Sequence, residues 1–117
     1  MATTIEKIKL SGSTDGIPTL ITGTNTATAD TIHTAHATAL DEIWLHASNT
    51  SASDVELTIE LGDATATSNI KQTIPSKDGL YLVIPGSILT NSKVLKAFAG
   101  TTNVINVVGF VNRITTV

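Results

Sequence analysis

Histidine is the residue type in this chain best suited to metal binding. His33 and His36 lie three residues apart, and His46 follows ten residues later. One metal ion takes both members of the first pair only on a helix, because residues three apart in a β-strand point to opposite faces. A three-histidine site would also need His46 from another strand. No carboxylate lies at a spacing from these histidines that would indicate an acidic metal ligand. We therefore predict exposed or locally hydrogen-bonded histidines and no metal-binding residue.

Carboxylates are the second candidate for chemistry. Three acids share the outer face of one predicted strand: Asp54, Glu56 and Glu60. Acid and base pairs of glycosidases need a cleft and separated pKa values, whereas the alternation here places these side chains in solvent. Asp41, Glu42 and Asp63 lack the spaced Asp-x-Asp-x-Asp-Gly loop that binds calcium. The acids therefore predict neither a catalytic pair nor a calcium site.

Nucleophilic catalysis has no marked residue. Ser87 follows Pro85 and Gly86 but lacks the trailing glycine of a nucleophile elbow. No glycine-rich phosphate loop is present, and the glycosylation sequon at residues 49–51 is interpreted as a chance tripeptide. We predict that the chain is not an enzyme, with no catalytic residue, no cofactor-binding residue and no cofactor.

Trp44 is the single tryptophan, and it lies on the parity opposite Ile43 and Leu45. Either its strand is buried on both faces, or its ring covers a contact between subunits. The sequence leaves both alternatives open.

Bulk composition narrows the functional classes. Seven Lys and Arg stand against ten Asp and Glu, Arg113 is the only arginine, and aromatic residues make up 3%. The chain has too few basic residues to release counterions from a nucleic acid and too few aromatic residues to stack on its bases. We therefore predict no nucleic-acid partner. The longest apolar run, residues 80–85, is too short to span a membrane, and we predict no membrane partner and no secretory signal. The chain contains no cysteine, which excludes disulfide and thiol chemistry.

The hydrophobic period that dominates the chain is two, which is the period of a β-strand. It is clearest over residues 54–61, where Val55, Leu57 and Ile59 alternate with polar residues. Residues 41–48 repeat it, and the small polar loop 49–53 predicts a hairpin between these two strands. The full set of predicted strands is 5–10, 17–22, 31–37, 41–48, 54–61, 70–74, 80–84, 94–99 and 104–115.

One predicted strand has a helical alternative. Ile88, Leu95 and Phe98 are spaced as on a helix face, and Gly100 is a possible helix cap. A strand over residues 94–99 is favoured because the segment is short. Eight or nine short strands predict a single all-β domain, an antiparallel sandwich, jelly roll or small barrel. We place it at residues 17–117, after a flexible N-terminal arm over residues 1–16.

The order of segments resembles small virion proteins encoded among the structural genes of tailed bacteriophages. The similarity covers nearly the whole chain and is carried by residues 11–18, 31–35, 41–45, 49–53, 55–60, 79–86, 97–99, 103–106 and 109–114. The resemblance implies a capsid decoration (cement) protein, commonly a β-rich homotrimer seated over gaps between major capsid subunits. It implies a location in the virion, after assembly in the host cytoplasm, and transfers no site residue.

Scarce lysine and abundant threonine and alanine suit surfaces that become buried on assembly. The arm is expected to add a strand to a neighbour's edge, so deleting residues 2–12 is expected to abolish shell binding and leave the fold intact. Alternative functions are a head–tail connector, neck or tail component of the virion, a carbohydrate-binding β-sandwich, and a cupin-like metalloenzyme.

Overall fold

The computed structural model describes residues 2–116. It contains nine β-strands: β1 (Thr3–Lys9), β2 (Thr19–Leu20), β3 (Asp30–Thr34), β4 (Leu40–Asn49), β5 (Val55–Leu61), β6 (Asn69–Ile74), β7 (Tyr81–Leu89), β8 (Val94–Ala99) and β9 (Ile105–Thr116). Two short 3-10 turns, η1 (Thr26–Thr28) and η2 (Ala66–Ser68), lie between strands. The described residues include no helix long and apolar enough to cross a membrane.

The strands form two antiparallel sheets packed face to face. Sheet A has the order β1-β9-β4-β7, with β2 also paired to β9, and sheet B has the order β3-β8-β5-β6. This confirms the predicted all-β sandwich. It also confirms the strand at 94–99, because β8 pairs with both β3 and β5.

The predicted hairpin between β4 and β5 is wrong. β4 pairs with β7 and β9 in sheet A, whereas β5 pairs with β6 and β8 in sheet B. The apolar stripes of the two strands therefore face each other across the core instead of lying side by side. Asn49 fixes the crossing: its Nδ2 donates to the carbonyls of Ser53 and Ile74, and its Oδ1 accepts from the Ser51 backbone N–H.

The core consists of the inner faces of the two sheets and is built from aliphatic side chains. Burial of each large aliphatic chain contributes about 1.5–3 kcal/mol before the entropic cost of ordering it. The largest fully buried apolar residues are Leu10, Ile21, Ile32, Ile43, Leu45, Leu57, Ile59, Ile74, Ile84, Leu95 and Ile105. All four aromatic residues lie outside this set, so β-branched and leucine side chains do the packing between the sheets.

The N-terminal segment is joined to the sandwich in this structure. β1 pairs along its whole length with β9, as the edge strand of sheet A. Leu10 is fully buried in the core. The Gly12 N–H donates to the Ile32 carbonyl, and the Ser11 N–H donates to His33 Nδ1. Residues 10–12 therefore belong to the packed domain, while mobility of the preceding strand in solution stays a prediction.

Candidate functional site

The outer surface of sheet A carries exposed aliphatic side chains beside a pair of stacked aromatic rings. Because residues paired across antiparallel strands point to the same side, the strand register identifies its members. We call it the sheet A face; it includes Ile5, Lys7, Leu40, Glu42, Trp44, His46, Leu82, Ile88, Val108, Phe110, Asn112 and Ile114. No segment of the described chain buries it fully, and most of its central members are half-buried.

Large aliphatic side chains are exposed on the sheet A face. Ile5, Leu40, Leu82 and Ile88 show 69%, 44%, 45% and 46% of their surface to solvent. Ile5 and Leu40 are both paired with Ile114, so one aliphatic row crosses three strands. Several exposed aliphatic side chains on one sheet surface are characteristic of surfaces that bind other proteins.

A ladder of stacked groups crosses the middle of this face. The rings of Trp44 on β4 and Phe110 on β9 are 6.3 Å apart between centroids and 14° from parallel. Lys7 on β1 places its Nζ 4.3 Å from the Phe110 centroid, a cation–π contact. Gly86 on β7 contacts the indole from the other side of β4. Both rings are therefore flanked on the sheet by neighbouring strands.

Two glycines make room for Trp44. A Cβ on Gly109 would stand 1.9 Å from the Trp44 carbonyl oxygen, which no real contact permits. A Cβ on Gly86 would stand 2.9 Å from an indole ring carbon, and Gly86 has a φ of +86°, in the left-handed region that favours glycine. The tryptophan position is thus built by three strands together.

The polar residues beside the ladder hold it in place. Glu42 Oε1 accepts hydrogen bonds from the Trp44 Nε1–H at 2.7 Å and from Asn112 Nδ2 at 3.0 Å. These two hydrogen bonds lower the pKa of Glu42. The indole is therefore fixed at its N–H as well as at its ring faces. Of the two alternatives for Trp44, burial on both faces of its strand is wrong, and a contact with another subunit stays a prediction.

A second polar cluster lies inside the sandwich and joins His33, Asp41 and Arg113. Asp41 is fully buried; its Oδ1 accepts from Arg113 Nε at 2.8 Å and its Oδ2 from Arg113 Nη2 at 3.0 Å. His33 Nε2 lies 2.7 Å from Oδ2. His33 Nδ1 accepts the Ser11 backbone N–H, so the ring proton is on Nε2 and is donated to Asp41.

This cluster is a structural tie rather than a catalytic triad. Burial raises the pKa of Asp41, but hydrogen bonds from Arg113, His33 and the His36 N–H outweigh it and lower the pKa to about 2. The Ser11 hydroxyl oxygen accepts a hydrogen bond from the Thr34 N–H at 2.7 Å. Among residues 2–116, the bond from Ser11 to the His33 imidazole comes from the backbone N–H and not from the hydroxyl. The cluster links the chain after β1 to β3, β4 and β9.

The imidazole rings of the other two histidines lie outside this cluster, although the His36 backbone N–H donates to Asp41. His36 Nδ1 accepts the backbone N–H groups of Thr38 and Ala39, which closes the turn before β4. His46 lies on the sheet A face, opposite Val108. Among residues 2–116, no group of three or more His, Cys, Asp or Glu side chains could hold a metal ion.

The predicted placement of the strand acids is correct for Asp54 and Glu56, which are exposed, and wrong for Glu60. Glu60 is only 2% exposed, although it lies on the outer side of β5. The segment around η1 folds over it, and Thr26 Oγ1 donates to Glu60 Oε2 at 2.9 Å. Asp30 secures that segment by accepting from the Thr22 and Gly23 backbone N–H groups. A turn distant in sequence, invisible to local alternation, causes the burial.

The remaining candidates have local roles. Asp63 Oδ1 accepts from both the backbone and the hydroxyl of Thr65, a small polar turn. Ser87 lies in β7 opposite Ile43, and the hydrogen bonds described for residues 2–116 give it no activating histidine or carboxylate. Comparison with known proteins finds no matching family model, no matching curated protein and no matching solved structure.

Proposed function

We propose that the chain is a structural protein of a tailed-bacteriophage virion: a capsid decoration (cement) protein that binds the outside of the head and stabilises contacts between major capsid subunits. The observation that carries the proposal is the sheet A face, where exposed aliphatic residues surround a fixed Trp44–Phe110 stack. The resemblance in segment order to small virion proteins supports the same function.

The sheet A face has the properties that adhesion requires. Trp44 is immobilised by Glu42, Gly86 and Phe110, so its conformational entropy is spent on folding and not on association. Exposed Leu82 and Ile88 lie on the same face as the stack. Burial of such a pre-organised apolar centre is the usual source of affinity in protein interfaces.

The proposed partners are further copies of the chain, as a homotrimer, and the major capsid protein. Nucleic acid and membrane are not proposed partners, and no cofactor is proposed. The proposed location is the virion, reached after assembly in the host cytoplasm.

The stack argues against sugar binding on this face. A pyranose ring needs a free aromatic face, but Phe110 lies between Trp44 and Lys7, and the indole lies between Phe110 and Gly86. Adhesion to protein therefore explains the arrangement better than a carbohydrate-binding role.

Cryo-microscopy of virions that contain this chain tests the proposal. A decoration protein is expected in many copies at equivalent positions on the outer head surface, with the sheet A face buried in contacts. Six or twelve copies at a single vertex would assign the chain to the connector or neck instead. Purified virions without the chain would contradict any virion role.

A further inference from the structure

We propose that His33 is an acid-sensitive latch: protonation of its imidazole releases Ser11 and Gly12 from the edge of β3. Ser11 and Gly12 follow β1 and are exposed, whereas the His33 side chain is fully buried. The latch is distinct from the sheet A face, and it does not depend on the virion proposal.

Three hydrogen bonds hold these two residues against β3. The Ser11 N–H donates to His33 Nδ1 at 2.9 Å, and the Gly12 N–H donates to the Ile32 carbonyl at 2.9 Å. The Ser11 hydroxyl oxygen accepts from the Thr34 N–H at 2.7 Å. β3 is an edge strand of sheet B whose other side pairs with β8, so the segment covers its free edge.

The backbone of Gly12 lies very close to β3. A Cβ on Gly12 would stand 2.6 Å from the Thr31 carbonyl oxygen and 2.7 Å from the Ile32 carbonyl oxygen, closer than real contacts allow. Of the three acceptors in the latch, only His33 Nδ1 can be lost to a proton between pH 5 and 8, because carbonyl and hydroxyl oxygens do not titrate there. His33 is therefore the pH-sensitive part of this contact.

The imidazole must be neutral to hold Ser11. A neutral imidazole has one N–H donor and one acceptor nitrogen. The His33 Nε2–H donates to Asp41 Oδ2 at 2.7 Å, which leaves Nδ1 as the acceptor for the Ser11 N–H. Protonation places a hydrogen on both nitrogens, so two N–H donors would then face each other. The bond to Asp41 survives this change, and the bond to Ser11 does not.

The charges beside the ring are balanced when His33 is neutral. The Asp41 carboxylate on β4 is paired through two hydrogen bonds with the Arg113 guanidinium on β9. The residue paired with His33 on β8 is Leu95, which carries no charge. A proton on the closed ring would therefore add a net positive charge to a buried cluster, and opening the segment lets water solvate that charge.

Further ionisable residues on the surrounding elements act on the partners of the ring or lie on another surface. His36 donates its backbone N–H to Asp41, and Glu6 on β1 is the cross-strand neighbour of Arg113. Lys9 is the cross-strand neighbour of Phe110, on the sheet A face. The acid response of the latch is thus assigned to His33.

The sign of the pH effect follows from proton uptake. Because Nδ1 can accept a proton only when the Ser11 N–H has left it, opening is accompanied by uptake of up to one proton. The segment is therefore held at high pH, and its protection falls by at most tenfold per pH unit as the pH decreases through the range in which histidines titrate. Asp41 stays ionised throughout this range, since its pKa is about 2.

The test is amide hydrogen exchange of the full chain between pH 5 and 8, measured by NMR and corrected for the intrinsic pH dependence of exchange. The reporting amides are those of Ser11, Gly12 and Thr34, which donate in the latch or bond to it. The amide of Ile59 in β5, within the core of sheet B, is the internal reference.

Two glutamine variants separate His33 from histidines in general. His33→Gln keeps an N–H donor for Asp41 but cannot gain a proton, and His46→Gln is the matched control on the sheet A face. We expect the Ser11 amide to lose at least tenfold protection between pH 8 and pH 5 in the wild type and in His46→Gln, while Ile59 stays protected. In His33→Gln the protection of Ser11 is expected not to depend on pH.

An unchanged protection of Ser11 in the wild type, or the same pH dependence in His33→Gln, would overturn the proposal. The ¹⁵N shifts of the His33 imidazole give a second measurement that needs no variant. At pH 8 they should show the neutral ring with its proton on Nε2, and a proton on Nδ1 would remove the acceptor of the latch. A doubly protonated ring with Ser11 still protected would also contradict it. The virion experiment is unaffected by any of these results.

Discussion

Asp41 is a buried carboxylate that accepts hydrogen bonds from three different parts of the chain. It accepts from Arg113 on β9, from His33 on β3 and from the N–H of His36. Its charge is compensated by the guanidinium, which is itself partly exposed. Removing the anion would leave several donors without an acceptor.

We expect Asp41→Asn to lower the free energy of unfolding by about 3 kcal/mol, as when one partner of a buried ion pair is removed. The amide group brings its own N–H donors towards Arg113 and His33, which also donate. Urea denaturation measures the change. Glu56→Gln, whose carboxylate forms only an exposed 3.5 Å pair with Lys71, is the control and is expected to change little. Equal stability of both variants would contradict the role assigned to Asp41.

The same residue predicts the response to acid. The pKa of Asp41 is about 2 in the folded protein against 3.8 as its ordinary value. A depressed folded pKa contributes stability that is present above pH 3.8 and is lost as the pH falls towards 2, about 2 kcal/mol in total. Urea denaturation at several pH values should show this loss in the wild type, and Asp41→Asn should lack that component. An identical acid dependence in both proteins would sink the prediction.

At this scale, sequence reasoning succeeded where chemistry is local. The alternation of side chains over residues 54–61 correctly predicts that Asp54 and Glu56 are exposed. It missed the buried state of Glu60, since the covering turn at Thr26 lies 34 positions away. It also missed the bond between His33 and Asp41, because no local pattern marks a pair on different sheets.

At the scale of elements, β4 shows how a strand is shaped by its neighbours. Glycines on β7 and β9 accommodate the Trp44 side chain and its backbone, and the register of β4 with β7 shifts on both sides of Trp44–Leu45. Such irregularities re-aim side chains and interrupt pairing at a sheet edge.

Gly86→Ala and Gly79→Ala separate packing from backbone strain. Both glycines have positive φ, but an added Cβ meets Trp44 at 2.9 Å in the first case and nothing within 4 Å in the second. We expect Gly79→Ala to cost about 1 kcal/mol from the conformation alone and Gly86→Ala about 3 kcal/mol. Denaturation in a Trp44→Ala background is the check, because there the two costs should converge. A persisting difference would show that Trp44 is not the cause.

Deletions test the N-terminal strand. Residues 2–9 have mostly exposed side chains, so their removal is expected to leave a folded but less stable protein. Deleting 2–12 also removes the buried Leu10, at a further cost of about 2–5 kcal/mol, and the hydrogen bonds of Ser11 and Gly12. The longer deletion is therefore expected to cost more stability than the shorter one, and survival of the fold without residues 2–12 stays a prediction.

Urea denaturation followed by circular dichroism compares the stability of the two deletion variants. Loss of shell binding by the variant without residues 2–9 would support the proposed role of the arm in binding a neighbour. Equal stability of both proteins would contradict the part given to Leu10. Full-strength shell binding without residues 2–9 would contradict the proposed role of the arm in shell binding.

The elements themselves followed from period-two patterning, because burial of one face dictates alternation in each strand. The partner of each strand did not. The loop 49–53 is as suitable for a crossing between sheets as for a hairpin, and the hydrogen bonds of Asn49 to Ser53 and Ile74 become visible only in three dimensions.

At the scale of the whole molecule, the sandwich measures 52 × 27 × 21 Å and exposes one apolar sheet surface. The proposed homotrimer, if it assembles through the sheet A face, is expected to sediment as a trimer in sedimentation velocity. Ile88→Glu, which buries a charge in that contact, is expected to give monomers. Ile17→Glu changes a similarly exposed isoleucine in the loop before β2 and is expected to remain trimeric. A monomeric wild type, or a trimeric Ile88→Glu protein, would contradict the proposed contact.

The pairing of β1 with β9 has a consequence for what can be attached to this protein. Thr3 and Thr116 are opposite each other, with hydroxyl oxygens 3.4 Å apart. Polypeptide that continues past either end therefore departs from a single corner, and two fused cargoes would emerge side by side. A short linker should therefore connect the two ends. New termini could then be introduced in another loop by circular permutation, with the strand order of both sheets unchanged.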